Sequence, residues 1–407
     1  MPSSNWPSST MNLTQPSTVS RYESPCDARR RALLTQASQE GLHAVLVFAH
    51  GSSLGAGTRS HGALRYLTQW DGHEALSLLV CTSSSCTLLL GSPFLLPLAR
   101  QQHPELAVVD AAPATWGAHL SRLLADVQGV ATVGFGEMPQ AVFAPVQIEL
   151  AKRIQRPFDA WLDTARSLLD STQQAVHREA AAICDRLFEA LGPALQRGLP
   201  AWRIQIALTQ LAFELGADYC RTWLTAAPQA DYPRYWKEEC LRVPQRGDQV
   251  LFGIMLTVDG HWGHGIRMGH LGQPSPELLK LHARVLAALG AGLDALRCDR
   301  PLGAVEAAMQ TALPVDARHG SHFRYGHGLG HSYEEAHATV AFPQWFGAAT
   351  PAAASSTPSV QAGMLLELHP NMFVPGLGGA AIGEMVLVHE DRAECLLAFP
   401  RDLADWS

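Results

Sequence analysis

Apolar positions along this chain follow two rhythms that change near residue 160. Before it, short apolar runs bounded by Gly, Ser and Asp alternate with stretches at helical spacing. The pattern predicts a helix over Arg29–Gln39 ending at Gly41, a buried strand at Leu42–Ala49 and a second strand at Leu64–Thr68. Leu76–Cys81 and Cys86–Leu90 flank Thr82-Ser83-Ser84-Ser85 and predict a hairpin. A strand at Leu106–Val109, a helix near Leu120–Val127 and a strand at Ala131–Phe135 follow. Strands alternating with helices define an α/β unit.

From Asp159 the rhythm becomes that of long amphipathic helices, Thr172–Leu191 and Ala201–Leu215, joined by a connector over Pro193–Pro200. Strands at Gln249–Val258 and Gly263–Met268 then meet through Asp259-Gly260, a strong hairpin-turn pair. Helices at Pro276–Ala295 and Leu302–Ala312 and strands at Met364–Phe373 and Ala381–His389 repeat the order. Two helices followed by two strands, twice, is an internal duplication of architecture. The expected fold class is α+β: a disordered Ser/Pro/Thr-rich tail at 1–25, an α/β domain at 26–160, and a duplicated domain at 161–407, with a surface loop inserted at 347–361.

Composition supports a compact protein: 47% of residues are apolar and 16% charged. A net charge of −7 without a Lys/Arg-rich block gives no footprint for nucleic acid. No apolar run suggests a signal peptide or approaches the roughly 20 residues needed to span a bilayer, so a cytoplasmic protein without membrane attachment is expected. The eight cysteines lack metal-type spacing, and Cys81 and Cys86 are expected to be reduced core thiols.

Three ordered motifs carry the chemistry: Gly247-Asp248-Gln249-Val250-Leu251, Tyr325-Gly326-His327-Gly328-Leu329-Gly330, and Met364…His369-Pro370…Val374-Pro375-Gly376…Gly378-Gly379…Val386-Leu387-Val388. Together they resemble the pita-bread metallopeptidases, the family of creatinase, prolidase, aminopeptidase P and methionine aminopeptidase. The resemblance implies a creatinase-like N-terminal domain, a pita-bread C-terminal domain with a pseudo-twofold repeat, and a homodimer. It also implies a two-metal site held by two Asp, one His and two Glu. Placed on this chain, those positions fall on Gly253, His264, His327, His369 and Gly383. Every acidic ligand is replaced. Bridging carboxylates offset the repulsion between two cations, so their loss argues against a dinuclear peptidase. The machinery of metal-free creatinase is absent too, because Ile266 and His369 stand where its acids belong.

What remains is three imidazoles, His264, His327 and His369, expected to converge on one divalent transition metal, Fe or Zn. The alternative is three histidines satisfied by hydrogen bonds in a pocket. Glu367 lies two residues before His369, on the same strand face, and is a candidate general base or fourth ligand. Glu334, where peptidases often carry a substrate-contacting His, is a candidate general acid/base. Arg234, Tyr235 and His331, with Tyr232 and Trp236, are candidates to line the pocket mouth and bind substrate, and His331 and His322 are also candidates to fix the orientation of the imidazoles. Glu384 should point to the opposite face, and Arg267 should be structural. The function expected is that of a non-peptidase enzyme acting on a small molecule, by hydrolysis at a C–N or amide bond or by metal-dependent oxidation. The competing expectation is a catalytically inactive binding module.

Overall fold

The computed structural model describes residues 24–230, 232–313, 325–335 and 358–407. The tail at 1–23, Asp231, His322 and most of the loop expected at 347–361 lie outside them.

Helix α1 (Pro25–Gln39) starts at an N-cap where the Ser24 hydroxyl accepts from the Asp27 N–H, with Pro25 in the first turn. Strand β1 (Ala44–Ala49) is buried along its whole length. Such a strand is covered on both faces, which is why its sequence is an unbroken apolar run. Two short helices follow, α2 (Ser52–Gly55) and α3 (Arg59–Thr68). The strand expected at Leu64–Thr68 is therefore the end of α3. The Thr58 hydroxyl caps that helix by accepting from the His61 N–H, and Ser60, His61, Leu64 and Leu67 face inward at helical spacing.

Strands β2 (Ser77–Thr82) and β3 (Cys86–Leu90) form the expected hairpin. Its mouth pairs Cys81 with Cys86, which are joined as a disulfide, correcting the expectation of two thiols. Then come α4 (Leu96–Gln102), β4 (Ala107–Asp110), α5 (Trp116–Leu123), β5 (Gly129–Val133), α6 (Gln140–Leu150) and β6 (Ile154–Pro157). The six strands make one mixed sheet in the order β4-β3-β2-β1-β5-β6. Leu64, Leu67 and Trp70 pack on one face, and Trp116, Leu120 and Val146 on the other.

Helix α7 (Asp159–Arg166) leads to α8 (Ser171–Leu195), which opens with a capping box between Asp170 and Gln173, and to α9 (Ala201–Glu214). Strands β7 (Tyr219–Ala227), β8 (Gln249–Val258) and β9 (His261–His270) form an antiparallel set. The turn between β8 and β9 puts Asp259 at φ 44° and Gly260 at φ 68°, both in the left-handed region that an Asp-Gly pair tolerates. Helices α10 (Pro276–Ala295) and α11 (Leu302–Ala312) precede β10 (Gly326–Gly328), β11 (Leu365–Leu368), β12 (Asn371–Val374), β13 (Gly378–Ala381), β14 (Glu384–Val388), β15 (Ala393–Cys395) and β16 (Ala404–Asp405).

The stretch expected as one strand, Met364–Phe373, is split at Pro370, because proline cannot donate to a ladder. β11 pairs with β10 and β14, whereas β12 pairs only with β13 among the described residues. The sheet β16-β9-β8-β7 meets the sheet β10-β11-β14-β15 where Ile266 and Gly383 exchange backbone hydrogen bonds. Helices α8 and α9 pack with the first sheet, and α10 and α11 with the second, so two helix-backed sheets meet at one seam. No helix among the described residues is long and apolar enough to cross a membrane.

Candidate metal centre

The seam between the two sheets brings the candidate ligands together. His264 stands on β9, His327 on β10, Glu367 on β11, and His369 just past β11. Register does the positioning. His327 lies directly opposite Glu367 in the β10–β11 ladder, and Glu367 and His369, two residues apart, face the same way. All four side chains are buried, and they offer one donor atom each within 4.8 Å of one another. Among the described residues no other group of His, Cys, Asp and Glu closes so tightly.

The carboxylate of Glu367 is the hub. Its Oε1 lies 2.9 Å from His264 Nδ1, and its Oε2 lies 3.7 Å from His327 Nε2 and bonds His369 Nδ1. The imidazoles surround it with ring centroids 5.4 to 6.0 Å apart. Two of them are oriented by further contacts. The Nδ1 of His327 is 3.0 Å from its neighbour's carbonyl, Gly328 O, and His264 Nε2 is 3.2 Å from the Tyr333 hydroxyl. An N–H donated to a carbonyl fixes the tautomer and turns the other nitrogen's lone pair inward, as in metal-binding histidines. Three imidazoles and one carboxylate at this spacing could hold a divalent metal ion.

The two glycine positions of the expected ligand set are filled. A Cβ built on Gly383 would lie 2.4 Å from Glu367 Oε1, so the Glu367 carboxylate takes up the room of a side chain at 383. A Cβ on Gly253 would lie 2.1 Å from Trp223 Cε2, so an indole takes up the room there. Glu384 points away, to Arg267 at 3.2 Å and Arg401 at 2.8 Å. Arg267 also donates to the carbonyls of Gly383, Phe399 and Pro400, which holds the seam closed.

The remaining candidates divide. Tyr235 lines a pocket of about 600 Å³ bounded by residues 52–57, Trp236, Met255, Trp262 and Tyr333. The guanidinium of Arg234 packs 4.8 Å from the Tyr232 ring instead, and Arg234 is not among the residues lining that pocket. His331 stands outside the four-residue cluster: its ring is 4.1 Å from His261, which in turn is 5.1 Å from His177. Burial holds His177 down to about 3 and His261 down to about 4, and pushes His331 well below its usual value, so this trio is neutral. Glu334 is half-buried and follows Tyr333. Its neighbour Glu335 is buried 3.0 Å from Arg166, whose Nη1 also donates to Ser332 Oγ.

Tyr333 is the residue that sequence reasoning missed. Its hydroxyl touches His264, and its ring lies 4.9 Å from that of His327 and 5.1 Å from that of Trp262. The signal was its place one residue before Glu334, within the segment already singled out.

The sequence matches the model of metallopeptidase family M24 over residues 175–390, more than half of the chain, and the chain belongs to that family. YkvY of Bacillus subtilis (strain 168), provisionally named a dipeptidase, is 25% identical over 250 residues, covering 60% of this chain and 63% of that protein. The agropine synthesis cyclase of Rhizobium rhizogenes is 26% identical over 251 residues, covering 56% of this chain and 59% of that protein. The chain thus spans less than two thirds of the length of either relative. The X-Pro aminopeptidase of Thermotoga maritima MSB8 has the same fold, with a TM-score of 0.75 at 17% identity over 92% of this chain and 98% of that one.

Proposed function

We propose that this chain is a non-peptidase enzyme of the M24 family that acts on a small molecule at a mononuclear centre of His264, His327, Glu367 and His369. The observation that carries the reading is the double filling of space: Glu367 stands in for a side chain at 383, and Trp223 leaves no room for one at 253. A second cation would need carboxylates at these places to offset its charge. One ion, by contrast, has four buried donors. When bound, a divalent metal (Fe or Zn) supplies Lewis-acid polarisation or, for iron, redox chemistry. That choice separates hydrolysis at a C–N or amide bond from oxidation.

The chain's own residues divide the remaining work. Glu367 holds the three imidazoles in orientation. The Tyr333 hydroxyl, which lines the pocket and touches His264, can hold or pass a proton at the substrate side. Glu334, next in the chain, is the proposed general acid/base. A relative named for a cyclisation supports a reaction on a small molecule in place of peptide cleavage.

The test is metal analysis of protein purified without added metal, beside H264A and H369A, together with an assay on an X-Pro dipeptide. The expected result is close to one ion per chain, lost in both variants, and no dipeptide cleavage. About two ions per chain, dipeptide turnover, or occupancy far below one that neither substitution changes would overturn the reading.

A further inference from the structure

We infer that the substrate is a small organic carboxylate with a planar or ring-shaped body, and that Arg221 on β7 binds its carboxylate; this rests on the reading of the cluster as an enzyme centre. Arg221 faces the 600 Å³ pocket beside Tyr219, Tyr235, Trp236, Trp262 and Tyr333, and among the described residues it is the one charged side chain lining it.

The position of Arg221 follows from register. It pairs with Met255 across β7–β8, and Met255 pairs with His264 across β8–β9. Directly paired residues project to the same face of a sheet, so Arg221, Met255 and His264 form one row on that face. Two strand spacings separate the ends of that row, about 10 Å between backbones. A molecule held by its carboxylate at Arg221 therefore reaches toward His264 and Tyr333 within the length of one ring and a short chain. Trp223, two residues on, shares this face of β7 and fills the room at Gly253. One strand face thus carries both the indole that excludes a second carboxylate and the cation that would grip the substrate.

The chemistry of Arg221 points the same way. Its guanidinium carbon lies 4.8 Å from the centre of the Trp236 ring and 5.3 Å from that of Tyr235, beside two aromatic faces. It is half-buried. Elsewhere Arg65, Arg153, Arg166, Arg178, Arg267 and Arg401 each meet a carboxylate. Arg221 forms no ion pair among the described residues. Partial desolvation of a cation without a counter-charge is unfavourable, and a planar guanidinium forms paired hydrogen bonds with a carboxylate. The flanking aromatic faces suit a flat or ring-shaped body.

The experiment compares phenylacetate with its neutral isostere phenylacetamide, by calorimetry, on the full chain as purified and on two variants. In wild type, phenylacetate should bind at least tenfold more tightly than the amide. In R221Q that preference should vanish while metal content stays unchanged, which separates this test from that of the metal centre. Gly57→Leu is the second variant. A Cβ at Gly57 meets Tyr333 and Trp262 only at 3.7 and 3.9 Å, so the chain should fold with the pocket obstructed and phenylacetate binding reduced. Arg221 also borders a cavity of about 350 Å³ that contains Lys237. Undiminished binding in G57L would place the probe there and overturn the assignment. Equal affinity for both probes, no binding of either, or a preference retained in R221Q would overturn it as well.

Discussion

The carboxylate of Glu367 and the backbone of Gly383 share one space: a Cβ on Gly383 would come within 2.4 Å of Glu367 Oε1. They face each other across the seam, and the acid of one strand stands where a side chain of the other would be. Introducing a carboxylate by G383E should therefore cost about 1–3 kcal/mol through overpacking, read as a lowered midpoint in denaturant. Removing the Glu367 side chain as well should return part of that loss, though not all, since the same Cβ also meets Ile266 N at 2.8 Å. A double-mutant cycle with no coupling between the two positions would contradict the shared space.

The Tyr333 hydroxyl meets His264 Nε2 at 3.2 Å on the pocket side of the cluster and orients that ring. Tyr333→Phe keeps the ring against His327 and Trp262 and removes only the hydroxyl. Metal affinity, measured by competition with a chelator, should fall about 10–100-fold, the range found when outer hydrogen-bond partners of metal-binding histidines are removed. Unchanged affinity would assign Tyr333 to the pocket alone.

The neutral trio makes stability depend on pH. An unfolded histidine gains a proton below about 6.5, whereas burial keeps His177 neutral down to about 3 and His261 down to about 4. The unfolded state therefore binds more protons in that window, and stability falls as pH drops from about 6.5 toward 4, by about 1.4 kcal/mol per pH unit for each such histidine. His177→Asn, whose amide can still donate to the Trp262 carbonyl bonded by Nδ1, should flatten the slope by about one proton. Denaturant titrations at pH 7, 6 and 5 on both proteins check this.

Arg166 ties α7 to the segment after β10. It sits 3.0 Å from Glu335 and bonds Ser332, whose hydroxyl lies 3.1 Å from the Thr58 carbonyl. Burial pushes the Glu335 carboxyl up and the Arg166 charge pulls it down, with burial the larger effect. Arg166→Met leaves a buried carboxylate without its cation and should cost about 3–5 kcal/mol, while Arg166→Met with Glu335→Leu should recover much of it. Equilibrium unfolding of both variants distinguishes a buried pair from simple packing.

Sequence by itself determined what local chemistry dictates. The helices at Pro276–Ala295 and Leu302–Ala312 and the strand at Gln249–Val258 stand as the hydrophobic period predicted, because long periodic segments declare their buried face. The Asp259-Gly260 turn was legible for the same local reason, and so was the shared face of Glu367 and His369, since strand alternation is a fixed geometry. Where signals were short they failed. Leu64–Thr68 is too brief to separate helix from strand, and β7 was not recognised as a strand although it carries both Trp223 and Arg221.

Tertiary structure decided which residues act together. No spacing could show that the Glu367 carboxylate takes up the room of a side chain at 383, that an indole fills the space beside Gly253, or that His331 belongs with His177 and His261 rather than with His327. Those relations join residues from different strands and helices across a seam. They depend on how two separately predictable sheets come together, and the packing of one sheet against another is set by side-chain volume and register in three dimensions, not by the period of either strand.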